Sequence, residues 1–223
     1  GLADWERPIA RVETLAAYFV EEVRKVQPHG PYFLGGTSYG GMVAFEIASQ
    51  LVRRGDRVGF VGLIDAYAPG HPRLRPDAPF RYRAYHLLGT PITRGPEETT
   101  RHIGEALREV WRDRWHCLVH SLTRRPLPRP LRYFRIRQAA FRATRRYGPK
   151  PYAGRLTLFR AEVQPSADLY RPDPHLGWGD AALEGVEVRE IPGRHGAHIR
   201  RPHVQGLAAK LREALLEATR ITR

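Results

Sequence analysis

The sequence predicts an α/β fold: a mostly parallel sheet flanked by helices, with a helical insertion between two of its strands. Three observations lead there. Helix and strand patterns alternate from Val12 to Ile64. The segment Val58–Ile64, VGFVGLI, is apolar nearly throughout, as a parallel strand covered on both faces must be. After a long stretch without any strand pattern, strands resume at Leu156–Ala161, LTLFRA.

Each element has a local cause. Val12, Leu15, Ala16, Phe19, Val20, Val23 and Val26 recur at helical spacing with Glu21, Glu22 and Lys25 between them, so Val12–Val26 reads as an amphipathic helix ended by Pro28 and Gly30. Tyr32-Phe33-Leu34 is a short buried strand. Gly41 to Arg54 is a helix with Val43, Ile47 and Leu51 on one face and Gly55 as its stop. Phe80 to about Arg146 is helical in tendency and is the insertion. Val186–Ile191, VEVREI, is the last strand, and Leu207 to Ala218 the closing helix. About four core strands result. The whole chain, 1–223, is one domain.

Composition narrows the classes. The chain has 223 residues, 42% of them hydrophobic, which suits one globular domain and not a disordered segment. No apolar run reaches the ~18 residues of a membrane span. Residues 1–26 carry acids and bases throughout and lack the apolar stretch of a signal peptide. A single cysteine, Cys117, excludes an internal disulfide framework and a cysteine-rich metal site. These features predict a cytoplasmic protein with no bound metal. The net charge of +14 comes far more from arginine than lysine and would suit an acidic protein partner or a nucleic acid.

The stretch Pro31–Ala48, PYFLGGTSYGGMVAFEIA, carries the chemistry. Gly36-Thr37-Ser38-Tyr39-Gly40 fits G-x-S-x-G, the sharp strand-to-helix turn that exposes a serine nucleophile. It follows a predicted strand and opens a predicted helix, the context the motif requires. Gly36 and Gly40 are expected to clear space around Ser38, where side chains would collide with the neighbouring chain. The Tyr39 backbone N–H, at the start of the helix, is the expected oxyanion donor. A serine hydroxyl needs a base, and in such sites the acid and then the histidine follow in chain order. Asp65, directly after VGFVGLI, is the first candidate acid; Asp56 and Asp77 are rivals. His195 follows the last strand, with His198 and His203 close behind; position favours His195, and His198 would be a supporting polar residue.

These segments together resemble the type I thioesterase domain that ends nonribosomal peptide and polyketide synthetases. The matching stretches are Gln27-Pro28 with Gly30-Pro31-Tyr32, GGTSYGGMVAFEIASQLVRRG, LIDAYAP (Leu63–Pro69), YGPKPYAGRLTLFRA (Tyr147–Ala161), LGWGD (Leu176–Asp180) and VEVREIPGRHGAHIRRPHV (Val186–Val204). The resemblance implies an α/β-hydrolase fold with a Ser38–Asp65–His195 triad and a mobile helical lid at residues 70–146. It implies no bound cofactor. The substrate would be an acyl or peptidyl chain on the phosphopantetheine arm of a carrier domain, released from Ser38 by water or by an internal nucleophile. That carrier domain is the expected partner. Alternatives are a free-standing type II editing thioesterase, a carboxylesterase, an inactive hydrolase-fold scaffold or a basic nucleic-acid-binding module. Two departures stand out. Members of the family begin with further strands whose loop supplies a second oxyanion donor, so the N-terminal part of the usual sheet is expected to be missing here. An aromatic residue usually follows the histidine where this chain has Gly196.

The segment Arg124–Arg146 holds nine arginines and no acid. It reads as a solvated face, as a docking surface for an acidic carrier domain, or as a single-strand binder through Tyr133, Phe134, Phe141 and Tyr147. No recognised nucleic-acid motif accompanies it. Trp111, Trp115 and Leu118 are near helical spacing and are expected to pack inside the lid, with lining of an acyl channel as the alternative, and Cys117 is expected to pack with them.

Overall fold

Val12, Ala16 and Val20 bury one stripe of helix α1 (Val12–Val26) completely, as their spacing predicts. The computed structural model describes residues 8–80, 83, 108, 111–120, 122–123 and 127–221. After α1 come strand β1 (Tyr32–Thr37), helix α2 (Tyr39–Arg53) and strand β2 (Val58–Ile64). Helix α3 (Arg129–Arg146), strands β3 (Leu156–Val163) and β4 (Val186–Arg194) and helix α4 (Val204–Ile221) complete the order. The four strands lie side by side in chain order and every pair is parallel.

Alternation along the strands sends side chains to two layers. Val61, Leu63, Leu156 and Leu158 face α1 and α2, where Phe45, Leu51 and Trp178 join them in the larger core. Phe60, Phe159 and Ile191 face the other way and pack with Leu207 and Ala214 of α4. Each large apolar side chain so buried contributes about 1.5–3 kcal/mol relative to exposure. This layering fixes the carboxyl ends of all four strands along one rim of the sheet.

Three strands run further than the sequence pattern; β3 continues past Ala161 to Val163. β1 continues through Gly35 and Gly36 to Thr37, because its backbone stays paired with β2 up to Ile64. β4 continues through Pro192 and Gly193 to Arg194, which pairs with Val163.

Much of the segment expected to be a lid, 70–146, lies outside the described residues. Residues 111–120 are helical. Trp111 and Trp115, expected to pack, are each 65% exposed, and Leu118 is exposed too. Their stripe has the right spacing but joins no core cluster among the described residues; Cys117 is partly buried. α3 buries Phe134, Ala139 and Ala143 while its arginines line the other faces. Its C-terminal end is tied to α2: the Tyr147 hydroxyl donates to Glu46 Oε2 at 2.7 Å, and Gln50 and Arg53 donate to Glu46 Oε1 at 2.9 and 3.1 Å. No helix among the described residues is long and apolar enough to cross a membrane.

Candidate active site

Ser38 occupies the turn between β1 and α2 with φ 51° and ψ −122°. A non-glycine residue held in such a conformation costs about 1–3 kcal/mol and persists only where its surroundings impose it. Here two backbone bonds impose it. The Ser38 N–H donates to Ile64 O at 3.0 Å, and Ser38 O accepts from Gly41 N–H at 3.0 Å. The first bond also places Ser38 beside the end of β2.

The glycines divide the work differently from the sequence expectation. A Cβ at Gly36 would lie 2.3 Å from the Gly40 backbone, so Gly36 is required. A Cβ at Gly40 would meet nothing within 4 Å, so Gly40 does not clear space with its missing side chain. What matters at Gly40 is its backbone, which folds against Gly36. The second position that needs glycine is Gly41, where a Cβ would stand 2.5 Å from Ala66 Cβ.

Asp65 follows β2 directly, is fully buried and has φ 43°. Its N–H donates to Phe159 O of β3 at 2.7 Å. Oδ1 accepts from the Ala161 N–H at 3.1 Å and from the Gln164 amide at 3.4 Å. Oδ2 lies 2.7 Å from His195 Nδ1. Burial alone would raise the carboxyl pKa, but the hydrogen bonds from His195, Ala161 and Gln164 outweigh it and hold the group below its ordinary value, so it stays ionised. The rival acids stand elsewhere: Asp56 pairs with Arg24 at 3.0 Å, and Asp77 is exposed beside Arg75.

His195 hangs from the loop after β4, 130 residues from Asp65 in sequence, with its side chain 26% exposed. Asp65 engages Nδ1, which leaves Nε2 as the ring nitrogen available to a reacting proton. Among the described residues, no hydrogen bond joins the His195 ring to Ser38 Oγ; such contacts are commonly loose without substrate and tighten when it binds. His198 is fully buried and its Nε2 lies 3.1 Å from Thr37 Oγ1, next to the serine. His203 packs over Gly193 instead.

Tyr39 is the first residue of α2, where a backbone N–H has no partner within the helix. Its ring helps to line an apolar cavity of about 420 Å³ with Phe19, Leu34, Val43, Ile47 and Ile136. Among the described residues, no cluster of three or more His, Cys, Asp or Glu side chains is placed to hold a metal ion. Two supporting residues escaped the sequence reading. Gln164 bridges the Tyr67 hydroxyl (2.7 Å), the Ala161 carbonyl (2.6 Å) and Asp65. Tyr67 also sets its ring 6.2 Å from that of His195. No local pattern marks either one, since their partners lie up to 99 residues away.

Parallel strands whose carboxyl ends bring a strained serine alongside an acid–histidine pair are the arrangement of the α/β hydrolases. Comparison with known proteins agrees on the fold. Residues 3–82 match the thioesterase domain family. Nonribosomal peptide synthetase btyA of Aspergillus terreus is 27% identical over 210 residues, covering 87% of this chain and 22% of that protein. Chondramide synthase cmdD of Chondromyces crocatus is 29% identical over 227 residues, covering 94% of this chain and 6% of that one. The chain thus spans less than a quarter of the length of these curated relatives. Among solved structures, the RedJ thioesterase from the prodiginine biosynthetic pathway in Streptomyces coelicolor is 25% identical with a TM-score of 0.60, covering 96% of this chain and 75% of that one. The NocB thioesterase domain, 23% identical with a TM-score of 0.57 over 94% of this chain and 76% of its own, shares the fold. Residues 3–82 thus match the thioesterase domain family, and the chain as a whole has the α/β-hydrolase fold of these solved thioesterases.

Proposed function

We propose that this chain is a serine thioesterase domain acting in natural-product biosynthesis on an acyl or peptidyl chain carried as a phosphopantetheine thioester by a carrier domain. The observation that carries the reading is the 2.7 Å contact between Asp65 and His195 at the strand ends that also bear Ser38. Ser38 Oγ attacks the thioester carbonyl carbon as its proton passes to His195 Nε2. Asp65 stabilises the imidazolium that forms. The Tyr39 N–H faces the oxyanion. The tetrahedral intermediate collapses by breaking its carbon–sulfur bond, and the thiol leaves with the proton from His195. Water, or a hydroxyl or amine within the acyl chain, then attacks the Ser38 ester by the same route and releases an acid, a lactone or a lactam.

Because parts of a shared machinery are non-additive, labelling is a cleaner test than substrate screening. A fluorophosphonate reacts with an activated serine irrespective of the acyl chain. Wild-type protein is expected to take one phosphonyl group on Ser38, located by mass spectrometry, and Ser38→Ala to take none. Labelling that persists in Ser38→Ala, or wild-type protein that takes no label and hydrolyses no acyl-phosphopantetheine thioester, refutes the reading.

A further inference from the structure

His198 is a buried titratable side chain that the proposed chemistry does not use. It is fully buried, and it sits on the same loop as His195, three residues further on. Its Nε2 reaches Thr37 Oγ1 at 3.1 Å, spanning 161 residues of sequence. The two imidazole rings meet edge to face with centroids 6.2 Å apart. Nδ1 meets no hydrogen-bond partner among the described residues; the nearby Arg194 backbone favours a charged ring but does not reach hydrogen-bond geometry to it.

These contacts decide what the ring can do. It cannot serve as the base, since one nitrogen is engaged by Thr37 and the other faces protein interior. Nor does it stay charged: burial, opposed by Asp65 and reinforced by His195, lowers its pKa. A hydrogen bond joins Thr37 Oγ1 and His198 Nε2 whichever ring nitrogen carries the proton, because the hydroxyl can donate or accept. The result is a neutral ring tied to the end of β1. Asp65 at the end of β2 and His195 on its own loop are the titratable groups facing it. Across the gap between the β4 loop and the end of β1, Thr37–His198 is a polar tie beside the serine.

We propose that His198 is a positioning residue, clamping the loop that carries His195 to the strand end that carries Ser38 through its contact with Thr37. Asp65 fixes one side of the His195 ring, and His198 fixes the height of its loop over the serine. The proposal rests on Ser38 and His195 being the reacting pair.

The test compares full-length wild type, Thr37→Val, Thr37→Ser and His198→Gln. Two readouts are taken on each: the fluorophosphonate labelling rate of Ser38, and amide hydrogen exchange over residues 194–203. Misplacement of a reacting group by about 1 Å can cost 10²-fold, so Thr37→Val should label at least about tenfold more slowly and exchange faster in the loop. Thr37→Ser keeps the hydroxyl and His198→Gln keeps a side-chain amide able to donate to it or accept from it, so both should label within about threefold of wild type. In a protein whose wild type labels, a change in only one readout for Thr37→Val, or in neither, overturns the clamp. So does Thr37→Ser as slow as Thr37→Val, since lost volume would then explain the effect. A wild type that takes no label and hydrolyses no acyl-phosphopantetheine thioester refutes the Ser38 reading instead, and loop exchange in Thr37→Val alone then decides the clamp.

Discussion

Replacing Asp65 with asparagine changes one atom and should silence the site. The side chain has only two ways to sit. In one, its carbonyl oxygen takes the place of Oδ1 and still accepts from Ala161 and Gln164, so its NH2 faces His195. In the other, the NH2 faces the Ala161 N–H, two donors meet, and a fully buried polar group goes unpaired. That second pose costs about 1–3 kcal/mol, so the first is favoured roughly 5- to 150-fold. In the favoured pose the amide donates to His195 Nδ1, and the ring must carry its proton on Nε2, where it cannot accept one from Ser38. Trapping a triad histidine in that tautomer lowers turnover by about 10⁴, or about 5.4 kcal/mol of barrier. The assay is the fluorophosphonate labelling rate at pH 8, with thermal melting to show that Asp65→Asn is folded. A folded variant that keeps more than about a tenth of the wild-type rate would refute the assignment of Asp65 as the acid.

Other expectations concern the scaffold. Gly36→Ala forces a Cβ into the Gly40 backbone and should cost stability well beyond the ordinary surface substitution of about 0.5 kcal/mol, whereas Gly40→Ala enters open space on a helix and should be neutral or stabilising by up to about 1 kcal/mol; urea melts of the two variants compare them directly. Tyr147→Phe removes the buried donor to Glu46, which is only 4% exposed, and should lower unfolding free energy by about 1–3 kcal/mol in the same assay. Stability should also fall on acidification in two steps. His198 and Asp65 both have folded pKa values below their ordinary 6.5 and 3.8, so in each case the unfolded chain binds the proton first. Each contribution is present above the ordinary value and is lost as pH falls through the lowered one. Melting temperatures read across pH 3–8 should show the step that starts near 6.5 in wild type and not in His198→Gln.

Where one face of an element is buried, its residues announce it: Val12–Val26 and Val58–Ile64 have the same bounds in the sequence pattern and in the structure. Where an element is held by backbone alone, they do not. Gly35, Gly36 and Gly193 carry no apolar side chain, so the ends of β1 and β4 have no signature, though their pairing continues. Gly40 and Gly41 look alike in sequence, and only the position of Ala66 tells them apart. Chain order and spacing singled out Asp65 and His195, because each directly follows a recognisable strand, β2 or β4. The partners of Gln164 and His198 are set by the closure of the sheet and leave no trace in neighbouring residues. Trp111 and Trp115 show the converse, an apolar stripe at helical spacing that stays exposed and joins no core cluster among the described residues.

The Asp65 carboxylate is stitched into the main chain of β3. It takes a hydrogen from Ala161 while its own N–H gives one to Phe159, so the residue stands where the next rungs of the β2–β3 ladder would be. The chain leaves this junction after Asp65 and returns to it at β3. The length and shape of the segment between can therefore be altered without tugging on the acid, much as a drawer slides without moving the cabinet. A different insertion grafted between Pro69 and α3 would inherit the Asp65–His195 charge relationship ready-made.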